Sequence, residues 1–280
     1  MYTLSPCMFP VPLTPGCLSR ERDLRVTSGE ELIVTQDIAV VSSSRVLVTD
    51  GVNHTVRLLD SQGDKIVSKL PLASRPFRVC LLRDGRAVVT LPNQKQIQFI
   101  RIDGDTLSLD GSIDVKGLVI GIAVSNNHLI LSYEGPGRLE KITMEGRVTH
   151  QLNNHTAGRE LFKYPYFITT SHDGNIFIAD LETNTISQLD QTLQVVQTFT
   201  SPILQSPVGI VTVSNTQVLV AGRRSHNILM LDTTTGSMTP LLGQAEGIQL
   251  PRALGWCPVS RKLYVGLGEQ ITTIHVYKHK

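Results

Sequence analysis

The sequence predicts an all-β protein: a six-bladed β-propeller of four-stranded antiparallel blades, closed into a ring by an N-terminal strand. Three observations predict it. A two-run unit recurs six times at steps of 41 to 47 residues. Asp-Gly turns, whose backbone chemistry suits tight hairpins, separate apolar runs. Helical periodicity is almost absent, so short strands must account for most of the chain.

The unit is clearest in VLVTDGVNHTVRLLD, residues 46 to 60, which recurs as IFIADLETNTISQLD at 176 to 190 and as VLVAGRRSHNILMLD at 218 to 232. In each copy an apolar run enters a polar loop, and a second alternating run ends in Asp60, Asp190 or Asp232. Weaker copies start at Ala87, Leu129 and Leu263. One such unit cannot bury its own hydrophobic face, so six in series stack against one another. An inner strand precedes each strong run: PFRVCLL at 76 to 82, VIGIAVS at 119 to 125, PYFITTS at 165 to 171, PVGIVTV at 207 to 213 and PRALGWC at 251 to 257. Pro76, Pro165, Pro207 and Pro251 open four of them. The turns Arg83-Asp84-Gly85-Arg86 and His172-Asp173-Gly174-Asn175 link inner strands to the runs that follow. A fourth, more polar strand closes each unit, as in LQVVQTF at 193 to 199. The last unit ends at Lys280 after its third strand, which would leave an exposed edge. RDLRVTS, residues 22 to 28, is placed to supply the missing strand, since the first unit's inner strand starts only near Leu32. The expected organisation is an irregular segment, 1–21, and one propeller domain, 22–280. Removing residues 1 to 30 is expected to destabilise the whole ring.

Composition narrows the function classes. Twenty-six basic against 24 acidic residues leave a net charge of +2, so no global field points to nucleic acid or to a membrane. No window of 18 apolar residues offers a bilayer span, and the proline-interrupted N-terminus does not read as a secretion signal. Cys7, Cys17, Cys80 and Cys257 are scattered without a CxxC pair, which fits free thiols in a reducing compartment better than disulfides or zinc. The sequons at Asn53 and Asn154 would matter only in a secreted chain. No cofactor and no metal are expected, and the expected setting is cytoplasmic.

The apolar run, the Asp that ends it (Asp50, Asp180), the following Asn (Asn53, Asn184), the second run with its closing Asp and the opening prolines together resemble the NHL repeat. AVVTLPNQKQIQFI, GRRSHNILML and LPRALGWCPVSRKLYVG resemble the C-terminal NHL-type propeller of tripartite-motif (TRIM) proteins of invertebrates, molluscs especially. The resemblance covers residues 30 to 280. Units 2, 3 and 6 depart from it, with Leu91, Tyr133 and Gly266 taken as standing at the Asp position. In that family a RING carries ubiquitin ligase activity. This sequence has no RING ligand set, B-box or coiled-coil heptads, so the resemblance implies the recognition propeller alone.

In such a propeller, the loops before the inner strands and those between second and third strands share one face, where a rigid scaffold presents loop side chains. Here that face would carry Arg75, Phe77, Arg78, Lys95, Arg138, Lys163, Tyr164, Tyr166, Arg223, Arg224, His226 and Arg252. Its acids would be Asp37, Asp50, Glu134, Asp180, Glu182 and Glu269. A protein or peptide partner is expected there, with no membrane and no small-molecule substrate. The alternative is an RNA stem-loop, as some family members bind. Asp50, Asn53, Asp180 and Asn184 are expected to hydrogen-bond the loops between strands rather than to hold a ligand. Gly222-Arg223-Arg224-Ser225-His226 could clamp a phosphate or an acidic peptide, or could be a solvated turn tied by its Ser and His. Ser171-His172-Asp173 has triad composition, but consecutive residues in a turn do not converge. A calcium-dependent lactonase, the enzymatic alternative on this fold, needs several carboxylates at the channel. The positions aligned near the channel mouth are Asp37, Arg78, Gly121, Phe167, Gly209 and Ala253, where one carboxylate would face an arginine as an ion pair. Trp256 is expected to anchor the core.

Overall fold

Each apolar run flanked by turn residues becomes a strand buried on both faces, and the strands assemble into six four-stranded antiparallel sheets. The structure is a computed structural model that describes residues 12–27, 29, 32–135, 137–153, 155–156, 159–268 and 272–280. Cys7, Asn154 and Glu269 lie outside the described residues.

From the channel outward, blade 1 consists of Thr35–Val40, Arg45–Asp50, Thr55–Asp60 and Lys65–Pro71. Blade 2 follows with Val79–Leu81, Arg86–Leu91, Gln96–Asp103 and Thr106–Asp114, and blade 3 with Val119–Ser125, His128–Tyr133, Leu139–Thr143 and Val148–Leu152. Blade 4 has Pro165–Thr170, Ile176–Asp180, Thr185–Leu189 and Val195–Thr200, and blade 5 has Pro207–Thr212, Gln217–Gly222, Asn227–Asp232 and Met238–Leu242. Blade 6 has Pro251–Cys257, Lys262–Leu267 and Thr273–His279, and its outer strand is Leu18–Arg25 from the other end of the chain.

The ring therefore closes as the sequence predicts, with Leu18 opposite His279 and Arg25 opposite Thr273. The closing strand starts at Leu18, earlier than residue 22 and inside the segment expected to be irregular. A bulge between Arg20 and Arg22 breaks the alternation, so only Leu18 and Leu24 are fully buried in a mostly charged strand, and the period of two is invisible. Arg25 N–H donates to Asp64 of blade 1 at 2.7 Å, and Glu21 pairs with Lys262 at 2.7 Å.

Second strands are almost wholly buried, since neighbouring blades cover both their faces; the core is a series of apolar layers between sheets. Gly85 and Gly174 adopt φ of +81° and +89°, the left-handed conformation their tight turns require. Cys257 is a buried free thiol and Cys80 a half-buried one, its pKa pushed up chiefly by burial. Trp256 is only partly buried: it packs against the core with one side and lines the channel with the other. Among the described residues, no helix is long and apolar enough to cross a membrane.

Candidate functional site at the channel mouth

The inner strands do not run straight into the channel. Each opens with a β-bulge, in which two residues oppose one on the second strand. Gln36 and Asp37 share Thr49, Ile120 and Gly121 oppose Ser132, and Tyr166 and Phe167 share Ala179. Val208 and Gly209, and then Arg252, occupy the same place in blades 5 and 6. In blade 2, Phe77 N–H donates to the Thr90 carbonyl at 3.0 Å and Thr90 N–H donates to the Arg78 carbonyl at 3.0 Å, so Phe77 and Arg78 form the same bulge. The bulges build two side-chain layers at the mouth. The outer is Gln36, Phe77, Ile120, Tyr166, Val208 and Arg252. The inner is Asp37, Arg78, Gly121, Phe167, Gly209 and Ala253. Below them lies a channel cavity of about 250 Å³ walled by all six inner strands.

Hydroxyls on the second strands lock the bulges together. Thr49 donates to the Phe77 carbonyl at 3.0 Å, Thr90 to the Ile120 carbonyl at 2.9 Å, and Ser132 to the Pro165 carbonyl at 2.6 Å. At Gly209 a Cβ would lie 2.9 Å from the Arg252 carbonyl oxygen and 3.0 Å from the Leu254 nitrogen, so this inner strand can approach its neighbour only as glycine.

Arg78 is the centre of the site. It is 2% exposed, and its guanidinium lies 3.3 Å from the centroid of the Phe167 ring and 5.3 Å from that of Tyr166. A planar, weakly hydrated cation tolerates such a ring better than lysine would. Its Nη1 donates to the Gln36 carbonyl and its Nε to the Tyr166 carbonyl at 3.4 Å. Burial lowers its pKa to about 9, with the charges of Arg252 and Arg75 pushing the same way and Asp37 opposing. Arg252 Nη2 donates to Gln36 Oε1 at 2.6 Å, Arg75 stands 5.0 Å over the Phe77 ring, and Phe77 and Tyr166 tilt together at 6.4 Å.

The expected ion pair between Asp37 and Arg78 is not a direct contact. Asp37 instead accepts N–H bonds from Ile38 and Val79, each at 3.0 Å, and so joins blades 1 and 2. Burial raises its pKa to about 6, with Arg78 and those N–H groups opposing the rise.

Of the sequence candidates, Arg75, Phe77, Arg78, Tyr166 and Arg252 come together here. Five others lie elsewhere. Arg138 stacks 4.1 Å over Tyr133, pairs with Glu140 at 3.2 Å and donates to the Lys116 carbonyl. Tyr164 uses its N–H on Asp180 at 3.2 Å. Lys95 and Arg224 are exposed in the loops of blades 2 and 5. His226 accepts the Leu250 N–H at 3.0 Å and thereby ties its loop to the next. Gln36, which joins two of the arginines, is a member that sequence reasoning missed. Its only signal is its position beside Asp37.

Asp50, Asn53, Asp180 and Asn184 hydrogen-bond loop groups, each with its own set of partners. Asp50 accepts N–H bonds from Val52 and Asn53, takes the Asn53 side-chain amide at 2.6 Å and is paired with buried Arg57 at 2.8 Å. The Asn53 amide nitrogen, the atom a glycan would need, also donates to the Leu32 carbonyl at 2.8 Å. Asp180 holds the N–H groups of Lys163, Tyr164, Glu182 and Thr183. Asn184 serves the next loop, accepting the Ser206 N–H at 2.7 Å. In blade 5, Gly222 leaves room for Ser225 and Asn227, which take over the role: Ser225 accepts the Gln205 N–H and Asn227 donates to the Ile203 carbonyl. The strand pairing puts Leu267, not Gly266, at the Asp position of blade 6, because Leu267 faces Pro251 as Asp50 faces Thr35. Ser171 donates straight to the Asp173 carboxylate while His172 is exposed, an arrangement that gives no base to a nucleophile. Among the described residues, no group of three His, Cys, Asp or Glu side chains converges as a metal site would require.

No protein-family model matches this sequence, and no curated protein does. Solved structures match the fold. A streptogramin B lyase structure has a TM-score of 0.68 at 13% identity, covering 94% of this chain and 98% of its own. Catalytically inactive virginiamycin B lyase from Staphylococcus aureus, solved with quinupristin, has 0.65 at 17%, covering 94% and 88%. A protein of unknown function from Bacteroides thetaiotaomicron has 0.73 at 12%, covering 93% and 72%. At these identities the likeness establishes the six-bladed propeller and nothing finer.

Proposed function

We propose that this chain is a non-enzymatic recognition module that holds a peptide segment of a protein partner on the loop-rich face, over the channel mouth. The observation that carries the reading is the cluster of Arg75, Arg78 and Arg252 around Gln36, walled by Phe77 and Tyr166. Charged donors beside amphipathic rings suit a peptide, since rings supply contact area at low entropic cost and arginines supply orientation. An NHL-type role as the recognition part of a TRIM-like ubiquitin ligase, in a cytoplasmic setting, rests on the sequence resemblance and belongs to the same proposal.

The lyases that share the fold raise an enzymatic reading. It finds little support in the site, because no histidine among the described residues contacts the cluster and its one carboxylate is held by two backbone N–H groups. An RNA stem-loop is the second reading, favoured by the half-buried arginine–ring pair Arg75–Phe77, which could also receive a base.

Selection of a displayed random-peptide library on the wild-type protein and on a Phe77→Ala/Tyr166→Ala variant tests the proposal. A motif enriched on the wild type and lost on the variant is expected. No enriched peptide, together with structured RNA bound with a steep salt dependence, would replace it with the RNA reading. Turnover of streptogramin B would replace it with the enzymatic one.

A further inference from the structure

Three buried donors at the channel mouth, Gln36 Nε2, Arg75 Nε and Arg78 Nη2, have no acceptor among the described residues. Gln36 is fully buried; its Oε1 receives Arg252, while its Nε2 has no partner. Arg78 is almost as buried, with Nη1 and Nε both used and Nη2 unpartnered. A buried donor left without an acceptor costs about 1–3 kcal/mol, so three at one corner need an explanation. They do share a corner: Arg78 Nη1 donates to the main-chain carbonyl of Gln36 itself. Gly51 packs against it, because a Cβ there would lie 2.4 Å from Gln36 Nε2 and 3.0 Å from Arg75 Nε. The absence of a side chain at Gly51 is thus what lets Gln36 and Arg75 approach each other.

We propose that this corner is a subsite for one carboxylate of the bound peptide, received by Arg78 Nη2 and Gln36 Nε2, with Arg75 and Arg252 adding positive charge and Phe77 and Tyr166 flanking the residue that carries it. The proposal rests on the peptide-recognition reading and names its ligand chemistry. Two donors match the two oxygens of a carboxylate. A phosphate dianion carries more charge and would be repelled more strongly by Asp37, whose charge acts on Arg78. Mid-chain Asp or Glu and a chain-terminal carboxylate offer the same chemistry.

The test is NMR titration of the ¹⁵N-labelled protein, read on the Gln36 side-chain amide and the arginine Nε–H signals. The probes are acetate, inorganic phosphate, a doubly capped tripeptide with central glutamate, its glutamine counterpart, and that counterpart with a free C-terminal carboxylate. Acetate and the glutamate peptide should shift Gln36 and Arg78, and the capped glutamine peptide should not. A response to the free-terminus peptide that exceeds the response to glutamate assigns the carboxylate to a chain end, and the reverse assigns it to a side chain; either supports the subsite. Arg75→Gln, at the half-buried edge, should weaken acetate and glutamate-peptide binding roughly two- to fivefold. Gln36→Leu should abolish the shift of the Arg78 Nε–H signal. Should that variant fail to fold, the probe comparison on the wild type and the Arg75→Gln titration still decide. Equal shifts from the glutamate and capped glutamine peptides would overturn the subsite while leaving peptide recognition standing. Silence of both signals to every carboxylate, or a response to phosphate alone, would overturn it outright.

Discussion

Replacing Asp50 by asparagine should cost far more stability than the same change at Asp180, although the two residues occupy the same place in their blades. Both are buried, and both hold the loop beyond the second strand. Asp180 works through main-chain donors alone: Lys163, Tyr164, Glu182 and Thr183. Making it neutral turns charge-assisted hydrogen bonds into ordinary ones, a loss of about 1–2 kcal/mol. Asp50 also neutralises Arg57 at 2.8 Å, both side chains being 0% exposed. Arg57 cannot escape to solvent, because it donates through Nη1 to the Val26 carbonyl at 2.9 Å, just beyond the ring-closing strand. Asp50→Asn takes the carboxylate charge away from a fully buried guanidinium, which costs about 3–5 kcal/mol. Equilibrium urea denaturation of both single variants measures the difference. The double variant Asp50→Asn/Arg57→Met should recover part of the loss, since it removes the buried positive charge together with its carboxylate. An Asp180→Asn loss equal to or greater than that of Asp50→Asn would refute the reasoning, as would strictly additive costs in the double variant.

Removing residues 1 to 25 deletes the outer strand of blade 6 and exposes Leu18 and Leu24 contacts worth about 3–6 kcal/mol, so the melting temperature should fall by on the order of 10 °C, read by circular dichroism. Asp37 has its folded pKa raised to about 6 from 3.8, so the folded state holds a proton that the unfolded chain has released. Its contribution is therefore most favourable at low pH and is lost as pH rises through about 6. Because Asp37 keeps some surface open to the channel, the difference between wild type and Asp37→Asn should move by only about 1–2 kcal/mol from pH 4.5 to 7.5, and parallel stability curves would contradict it. Restoring the repeat's aspartate with Gly222→Asp should destabilise by about 1–3 kcal/mol, because a Cβ there meets Ser225 Oγ at 2.2 Å and Asn227 Oδ1 at 2.4 Å; a neutral or stabilising result in thermal denaturation would count against the substitute loop lock.

The parts of this fold legible in the sequence are those where burial acts on whole segments. Second strands covered on both faces become continuous apolar runs, and the runs starting at Val46, Ala87, Leu129, Ile176, Val218 and Leu263 fall within one residue of the observed strand starts. The closing strand was harder to bound, since an outer strand with charged residues and a bulge carries little periodicity. The loop turns hid another regularity. His54, Lys95, Asn184 and His226 all take φ between 51° and 57° just before the third strand. Only one of them is an asparagine, a residue that readily tolerates that conformation, so composition did not mark the position.

The bulges explain why the candidate site was only half legible. A bulge has no residue signature of its own, yet it decides which two residues of each inner strand reach the channel mouth. Once the register is known, the sequence at those places becomes informative. The second strands are interchangeable apolar segments, whereas the outer bulge position holds Gln36, Phe77, Ile120, Tyr166, Val208 and Arg252, six different residues at one equivalent point. Packing alone would favour similar side chains around a six-fold ring. Instead polar and aromatic groups gather on blades 1, 2, 4 and 6, while blades 3 and 5 offer Ile120 with Gly121 and Val208 with Gly209. The arginines of the mouth therefore gather on one side, around the corner between blades 1 and 2 where Arg78 bonds Gln36, and away from the apolar walls. The asymmetry gives a symmetric scaffold a single charged corner, and it follows from substitutions at positions that the repeat leaves unconstrained.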